Sequence, residues 1–282
     1  MKHRKALPGL ITIVFGLFLL VDCGTSAPAL PTAGPTRYPT VYGMDELPVR
    51  PVVYEIPGMD EAIVRKDVTY KTTPSHEFKM DVYYPADLQS GSRWPVVILT
   101  LWGDGAKVKD YQSSTSWGRL LAASGVAAVA ANWDPYEAST EDLVQYVRNH
   151  AEALNIDKDR ICLFGLSAGA SYSVAAGISG TPDYVRCMVA YYGLMGLPLS
   201  KLRGEKAKEV APLLIAKAER DDIVPATSID AFVREATSRG VNVTLLTHPS
   251  GVHCFDILND DDQSREVIKK TLEFIQVHCG AP

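Results

Sequence analysis

The sequence predicts an α/β protein with a mostly parallel, twisted sheet and helices on both faces of that sheet. Apolar, strand-like runs alternate with helix-like segments in strict succession. The apolar runs are nearly continuous, as in strands that are buried on both faces. The chain has 282 residues, of which 46% are hydrophobic, so it is long enough to bury one substantial core.

The N-terminus has the order of a secretory signal, which we place at 1–23. Basic residues at 2–5 precede an apolar run over about 10–21, and this run is short for a membrane span of ~20 residues. Cys23 follows directly and resembles the lipidated cysteine of bacterial lipoproteins, although Asp22 stands where a small residue is usual. Lipidation of Cys23, cleavage near Ala27 or Ala29, and an uncleaved anchor all stay open. We expect an extracytoplasmic protein, either secreted or held at a membrane by its N-terminal lipid or signal.

A flexible linker is expected over 24–48, because this stretch is rich in Pro, Thr, Ala and Gly and has hardly any large apolar residue to bury. A single folded domain is expected over 49–282. Export permits disulfides, and four cysteines remain if Cys23 carries lipid. Cys162 and Cys187 lie in strand-like runs typical of a core, whereas Cys254 with Cys279 is the pair to test first.

The strands and helices follow from the hydrophobic periodicity. An antiparallel edge pair is predicted at 68–73 and 78–84, where polar and apolar residues alternate. Further strands are predicted at 95–101, 126–132, 160–164, 185–191, 211–217 and 241–246. Helices are predicted between them at 116–124, 140–154, 168–178, 227–239 and 264–278. Active sites of such sheets collect at the carboxyl ends of the strands, so the loops there are where chemistry is expected.

A candidate nucleophile lies between a predicted strand and a predicted helix, where residues 165–169 read Gly-Leu-Ser-Ala-Gly. This G-x-S-x-G pattern is typical of a tight strand-to-helix turn that strains the serine and needs glycines to avoid collisions. The turn exposes the Ser167 hydroxyl at a helix N-terminus, where developing negative charge is stabilised. The pentapeptide alone is weak evidence for a nucleophile, and its position between a strand and a helix makes that evidence stronger. The alternative is an ordinary serine at the start of a glycine-rich helix.

A serine hydroxyl needs a general base, and the base needs an orienting carboxylate. The loop after the seventh predicted strand carries Glu219, Asp221 and Asp222, any of which could supply the carboxylate. His253 is the preferred base, because it lies well past the end of the last strand and can reach back to the serine. His248, at the strand end, fits a structural hydrogen bond better.

Two backbone N–H groups are expected to bind the oxyanion that forms during acyl transfer. One belongs to Ala168, directly after the nucleophile, and the other to Gly103 or Asp104, in the loop after the strand at 95–101. Aromatic residues in loops at the same edge are candidates for the substrate pocket, with a rim position and no substrate contact as the alternative: Trp102, Trp133 and Tyr136.

Four segments together resemble the α/β-hydrolase superfamily and, within it, the dienelactone hydrolase-like serine esterases: 159–169, 190–193, 220–225 and 251–256. The resemblance runs from about Val68 to the C-terminus. It implies the α/β-hydrolase fold and a triad of Ser167, His253 and Asp221, because the first Asp of Asp-x-x-Val-Pro aligns with the triad acid. Two features depart from the pattern. Dienelactone hydrolases proper carry a cysteine nucleophile, and the loop that reads His-Gly-Gly in many related esterases is Trp-Gly-Asp here.

The resemblance and the motifs together predict a carboxylic-ester hydrolase that acts on a small-molecule ester through an acyl-enzyme, with no metal or organic cofactor. About twenty residues separate Gly193 from the next strand, which predicts a minimal lid and an open site. The formal net charge of -5 and the lack of a basic stripe in the sequence disfavour nucleic acid as a partner. Two alternatives remain: a serine peptidase or amidase of the prolyl-oligopeptidase-like type, and a non-catalytic cell-surface binding protein on the same fold.

Overall fold

An eight-stranded sheet forms the centre of the protein, in a computed structural model that describes residues 46–87, 91, 93–101, 107–203 and 207–280. Its strands in chain order are β1 (Ile63–Thr72), β2 (Glu77–Tyr84), β3 (Trp94–Leu101), β4 (Ala127–Ala131), β5 (Ile156–Leu166), β6 (Val185–Tyr191), β7 (Leu213–Ala218) and β8 (Val243–His248). They lie side by side in the order β1-β2-β4-β3-β5-β6-β7-β8. β2 pairs antiparallel with both β1 and β4, and every later pairing is parallel. The predicted antiparallel edge pair and the mostly parallel sheet are both present.

Seven α-helices occur in the described chain, and they cover both faces of the sheet. They are α1 (Gln112–Ala123), α2 (Thr140–Asn149), α3 (Ala168–Ile178), α4 (Gly196–Leu202), α5 (Ala226–Ser238), α6 (Phe255–Leu258) and α7 (Asp262–His278). Buried side chains of α2, α3, α4 and α5 belong to one hydrophobic core, and those of α1, α6 and α7 belong to another. In β3, Val96 and Ile98 face the first core while Val97 and Leu99 face the second, as the two-residue period of a strand requires.

The burial of the central strands explains their composition. Every residue of β4, and every residue of β3 except Trp94, is buried. Because helices cover both faces, neither strand alternates polar with apolar residues. The edge strand β1 differs, since it carries Arg65, Lys66 and Asp67 in succession, and such charges discourage pairing with another chain at an open edge.

Several boundaries differ from those predicted. Helix α2 ends at Asn149 rather than at 154, and β5 begins at Ile156 rather than at 160, because Ile156 already pairs with Trp94 of β3. Between them, Asn155 has a φ of 51°, which turns the chain sharply into the strand. The seven-residue α4 and the four-residue α6 were missed, since helices this short do not establish a hydrophobic period.

The N-terminal expectations lie largely outside the described residues, including the signal region 1–23, Cys23 and almost all of the linker 24–48. In the part that is described, Leu47 is buried and belongs to the same core as Val52. No helix in the described ranges is long and apolar enough to cross a membrane.

The expected Cys254–Cys279 disulfide is absent, because the four cysteines of the described chain are buried thiols outside any disulfide. Cys254 lies in the loop that follows the carboxyl end of β8, whereas Cys279 follows α7 and donates to the Arg160 carbonyl, in the first half of β5, at 3.5 Å. The two thiols therefore lie towards opposite ends of the sheet. Cys162 and Cys187 are register partners in β5 and β6, which agrees with the core positions expected of them.

A buried ion cluster ties the segment before α1 to the antiparallel edge of the sheet. The Lys109 ammonium lies 3.3 Å from Asp81 Oδ1, and the side chains of these two residues are 4% and 2% exposed. Asp67 and Asp110 approach the same ammonium, at 2.9 and 2.6 Å, from more exposed positions. Asp81 therefore depends on Lys109 to offset the cost of burying its charge.

We expect Lys109→Met to destabilise the fold by about 3–5 kcal/mol, because it leaves the Asp81 carboxylate buried without its cation. Urea unfolding followed by circular dichroism measures the loss. Lys158→Met is the matched control, since the Lys158 ammonium pairs with the exposed Asp159, and it should cost no more than about 1 kcal/mol. Equal unfolding midpoints for the two variants would show that the buried cluster does not stabilise the fold.

Candidate active site

Ser167 occupies the turn between β5 and α3 in a strained backbone conformation. Its φ of 55° and ψ of -124° lie outside the regions that a serine ordinarily adopts. The Ser167 N–H donates to the Tyr191 carbonyl on β6 at 3.0 Å, and the Ser167 carbonyl accepts from the Ala170 N–H at 3.1 Å. The strand on one side and the helix on the other thus hold the turn in place.

The glycines of the motif allow close contact between backbones. A Cβ atom on Gly169 would lie 2.0 Å from the Thr100 carbonyl oxygen of β3, and one on Gly165 would lie 2.4 Å from Ala170 Cα. The Thr100 hydroxyl also donates to the Gly169 carbonyl at 3.2 Å. Helix α3 therefore begins in backbone contact with β3, which is possible only without side chains at these two positions.

Three predicted residues from distant parts of the chain meet at this turn. His253 Nε2 lies 2.8 Å from Ser167 Oγ, although the two residues are 86 positions apart, and His253 Nδ1 lies 2.8 Å from Asp221 Oδ2. The side chains of His253 and Asp221 are each 1% exposed. With Nδ1 protonated towards the carboxylate, Nε2 is free to accept a proton from the hydroxyl.

The loop after β7 fixes the orientation of Asp221. Its second carboxylate oxygen accepts the backbone N–H groups of Ile223 and Val224 at 2.9 and 2.8 Å. The two neighbouring acids have other surroundings: Glu219 pairs with Lys217 at 2.9 Å, and Asp222 is exposed to solvent.

His248 lies apart from Ser167 and has structural partners. Its side chain is fully buried, and its Nε2 lies 3.1 Å from Asp261 Oδ1 and 3.0 Å from Ser264 Oγ. These contacts connect the end of β8 to the first turn of α7.

Of the expected oxyanion donors, only Ala168 lies within the described residues. Ala168 is the first residue of α3, so its N–H belongs to the first turn of that helix, where backbone N–H groups have no intrahelical partner. Gly103 and Asp104 lie outside the described residues, as does the pocket candidate Trp102. No cluster of side chains suited to hold a metal ion occurs in the described parts of the chain.

The other two pocket candidates lie on the β3 and β4 side of the turn. The Trp133 indole N–H donates at 2.8 Å to the carbonyl of Leu101, the last residue of β3, and its ring meets that of Tyr172 edge-on at 5.5 Å between centroids. Tyr136 is 89% exposed, in a turn that the Asp134 carboxylate closes by accepting the Tyr136 N–H at 2.8 Å.

The sequence analysis did not identify three residues that lie near the site: Tyr172, Tyr192 and Asp256. Tyr172 lies four residues beyond Ala168 on α3, about one helical turn along. The Tyr192 ring lies 4.7 Å from the imidazole of His253, and the Tyr192 hydroxyl donates to Asp256 at 2.7 Å. An acid inside the apolar run Cys-Phe-Asp-Ile-Leu is the signal that could have identified Asp256.

A sequence model of the dienelactone hydrolase family matches residues 91–276, about two thirds of the chain. The chain belongs to the dienelactone hydrolase family. Membership of this family makes the protein a carboxylic-ester hydrolase, and the predicted α/β-hydrolase fold is confirmed. Comparison with curated proteins gave no match.

Solved structures with the same fold include several esterases. Esterase Est2 of the planctomycete Thermogutta terrifontis matches with a TM-score of 0.60 and 18% identity, covering 78% of this chain and 94% of that chain. The same organism's esterase 2 phosphonylated by cyclosarin matches with a TM-score of 0.61 and 20% identity, covering 81% and 97%. A truncated carbohydrate esterase from gut microbiota matches with a TM-score of 0.59 and 18% identity, covering 76% and 96%. At such identities the likeness shows the shared fold.

We expect Gly169→Ala to lower stability by at least about 2 kcal/mol, because the new Cβ would force α3 away from β3. Differential scanning calorimetry measures the drop in Tm. Gly196→Ala is the control, since a Cβ there meets no heavy atom within 4 Å at the first position of α4. If both variants have the same Tm as the wild type, the close approach of α3 to β3 does not depend on glycine.

Proposed function

We propose that the protein is a serine esterase that hydrolyses carboxylic esters through an acyl-enzyme on Ser167. The 2.8 Å contact between Ser167 Oγ and His253 Nε2 carries this proposal, because it puts a general base within proton-transfer distance of a hydroxyl. Its family membership supports the same chemistry.

The reaction follows from the three side chains. Ser167 Oγ attacks the ester carbonyl carbon while His253 Nε2 takes the hydroxyl proton, and the imidazolium then gives this proton to the departing alcohol. Water attacks the resulting acyl-enzyme, with His253 again taking and returning a proton, and the carboxylic acid leaves. Asp221 keeps the imidazole oriented through Nδ1 and stabilises its charged form.

The tetrahedral intermediate carries negative charge on the former carbonyl oxygen. We assign one of the N–H groups that bind this oxygen to Ala168, at the positive end of the α3 dipole, and the second to Gly103 or Asp104. Removing one such donor from an enzyme typically costs about 10²–10³ in kcat.

Reaction with an organophosphorus compound is a further reason to expect an activated serine. An esterase of the same fold is phosphonylated by cyclosarin, an electrophile that captures nucleophiles. A fluorophosphonate probe should accordingly label Ser167.

We expect Ser167→Ala to lower kcat for p-nitrophenyl butyrate by at least about 10³-fold, because no other group replaces the nucleophile. It should also abolish fluorophosphonate labelling while leaving the circular dichroism spectrum unchanged. Ser228→Ala is the matched control, since Ser228 lies in the first turn of α5 and donates to Pro225, and it should keep full activity. Undiminished turnover of Ser167→Ala would overturn the mechanism.

We also infer which kind of substrate the site takes. The aromatic wall of Trp133, Tyr136 and Tyr172 lies beside the carboxyl end of β3, on the side where the second oxyanion donor is expected. Tyr172 is partly exposed and Tyr136 almost fully so, and both rings can therefore contact a ligand from solvent. This wall favours esters that carry a ring, and a carbohydrate esterase among the solved structures of the same fold supports this choice.

Tyr172→Ala should raise KM for phenyl acetate by about fivefold, and KM for ethyl acetate by less than twofold, because only the first substrate loses a stacking partner worth about 1 kcal/mol. Steady-state kinetics on both esters measure the ratio. Tyr172→Phe keeps the ring and is the control, with both KM values expected near those of the wild type. A uniform change for the two esters in Tyr172→Ala would remove the aromatic wall from substrate recognition.

A further inference from the structure

Asp256 is a fully buried acid next to the triad that the mechanism above does not use. It is the second residue of α6, and it is 0% exposed. Its backbone carbonyl also accepts the Val53 N–H at 2.9 Å, so the residue lies under the N-terminal segment of the described fold. Burying a carboxyl group in such a position costs free energy unless hydrogen bonds or a charged partner satisfy it.

Both oxygens of the Asp256 carboxyl accept hydrogen bonds from neutral donors. Oδ2 accepts the Trp117 indole N–H at 2.8 Å, from α1, and Oδ1 accepts the Tyr192 hydroxyl at 2.7 Å, from the loop after β6. An indole N–H can only donate, so Oδ2 must act as an acceptor. Two donors on two acceptor oxygens are the arrangement that stabilises an ionised carboxylate.

The pKa of the Asp256 carboxyl reflects opposing influences. Burial is the largest influence and raises the pKa of Asp256 above the ordinary value of an aspartate, while the hydrogen bonds from Tyr192 and Trp117 and a positive charge on His253 partly offset that rise. Electrostatic interaction between two groups is mutual, so the Asp256 carboxylate stabilises a protonated His253 by the same amount.

Tyr192 connects Asp256 to the imidazole directly. The Tyr192 ring lies 4.7 Å from that of His253, between centroids, and its hydroxyl is held by Asp256. The backbone of Tyr192 has a φ of 39°, and its N–H donates to the Ala216 carbonyl of β7 at 2.8 Å. A strained residue fixed at both its backbone and its hydroxyl can hold a neighbouring ring in one orientation.

We propose that Asp256 is a positioning residue for the hydrolysis: through Tyr192 it holds the His253 ring in line with Ser167, and with its charge it stabilises the imidazolium. This inference rests on the proposed function. The imidazolium forms when Ser167 loses its proton, so stabilisation at that point lowers the barrier rather than strengthening substrate binding.

The polar and charged groups that face His253 come from several elements of the fold. Asp221 lies at Nδ1, Ser167 at Nε2 and Tyr192 against the ring, while Asp256 acts from α6. Around Asp256 itself lie Trp117, Tyr191, Tyr192 and Cys254, all of them neutral near pH 7 because burial raises the pKa of both tyrosines and of the thiol. Among these groups, Asp221 and Asp256 are the two that can carry negative charge next to the imidazole.

Asp256→Asn should lower kcat by at least tenfold with KM changed less than twofold. The acid limb of the kcat/KM profile for p-nitrophenyl butyrate should move to lower pH, because the imidazolium loses a stabilising charge and gives up its proton more readily. Spectrophotometric assays at about pH 5–9, a range that includes the ordinary pKa of histidine, measure both effects. A folded variant with the kcat and pH profile of the wild type would overturn the proposal.

Asp261→Asn is the matched control. Asp261 caps the N-terminus of α7, where its carboxylate contacts His248 and the Ser264 N–H and not His253. It should lower stability while leaving the pH profile unchanged. If it moves the acid limb as far as Asp256→Asn does, the effect of Asp256 is not specific to the catalytic histidine, and the proposal fails.

Tyr192→Phe keeps the inference testable if Asp256→Asn does not fold. It retains the ring against His253 and the Asp256 charge but removes the hydroxyl through which Asp256 holds that ring, so kcat should fall severalfold with KM changed less than twofold. A kcat equal to that of the wild type in this variant would also overturn the proposal. Fluorophosphonate labelling tests the proposed function separately from the role of Asp256. Loss of labelling only in Ser167→Ala supports the proposed function whatever Asp256 does, and labelling of Ser167→Ala refutes it.

Discussion

Helix α3 and strand β3 meet backbone to backbone, at a distance that leaves no room for a single Cβ atom on Gly169. That contact positions the first turn of α3, and with it the turn that raises Ser167 above the sheet. The hydrogen bonds from Ser167 to Tyr191 and from Ala170 to Ser167 add to this constraint from both sides. Close packing of this kind maintains an unfavourable backbone conformation because the surrounding structure has no lower-energy alternative nearby.

The site forms because three parallel strands end at the same edge of the sheet. Ser167 follows β5, Asp221 follows β7, and His253 follows β8, and parallel strands bring their carboxyl ends together regardless of how far apart they lie in the chain. Each side chain is then fixed by its own loop, as when Asp221 accepts two backbone N–H groups. Asp256 and Tyr192 lie behind the imidazole and extend this fixed arrangement into the core.

The parts of the fold with a strong hydrophobic period were predictable. The runs that became β3 and β4 are apolar throughout because both faces are covered, and the alternation in β1 and β2 identified an antiparallel edge. The short helices α4 and α6 were not predictable, since they are too short to repeat a pattern. The start of β5 depended on Ile156 pairing with Trp94, a contact between segments that local periodicity does not report.

By itself the sequence predicted the fold class and singled out Ser167 as the candidate nucleophile, because a strand-turn-helix pattern with two glycines is a local property of consecutive residues. It also singled out His253 over His248 by its position beyond the last strand. The residues after β7 offered three carboxylates, of which the resemblance favoured Asp221. Only the tertiary structure showed that Asp221 meets the imidazole, that Cys254 and Cys279 lie apart, and that Asp256 lies next to the site. Each of these depends on where separate strands end in space, and side-chain distances of that kind are set by the packing of the whole sheet and not by neighbouring residues.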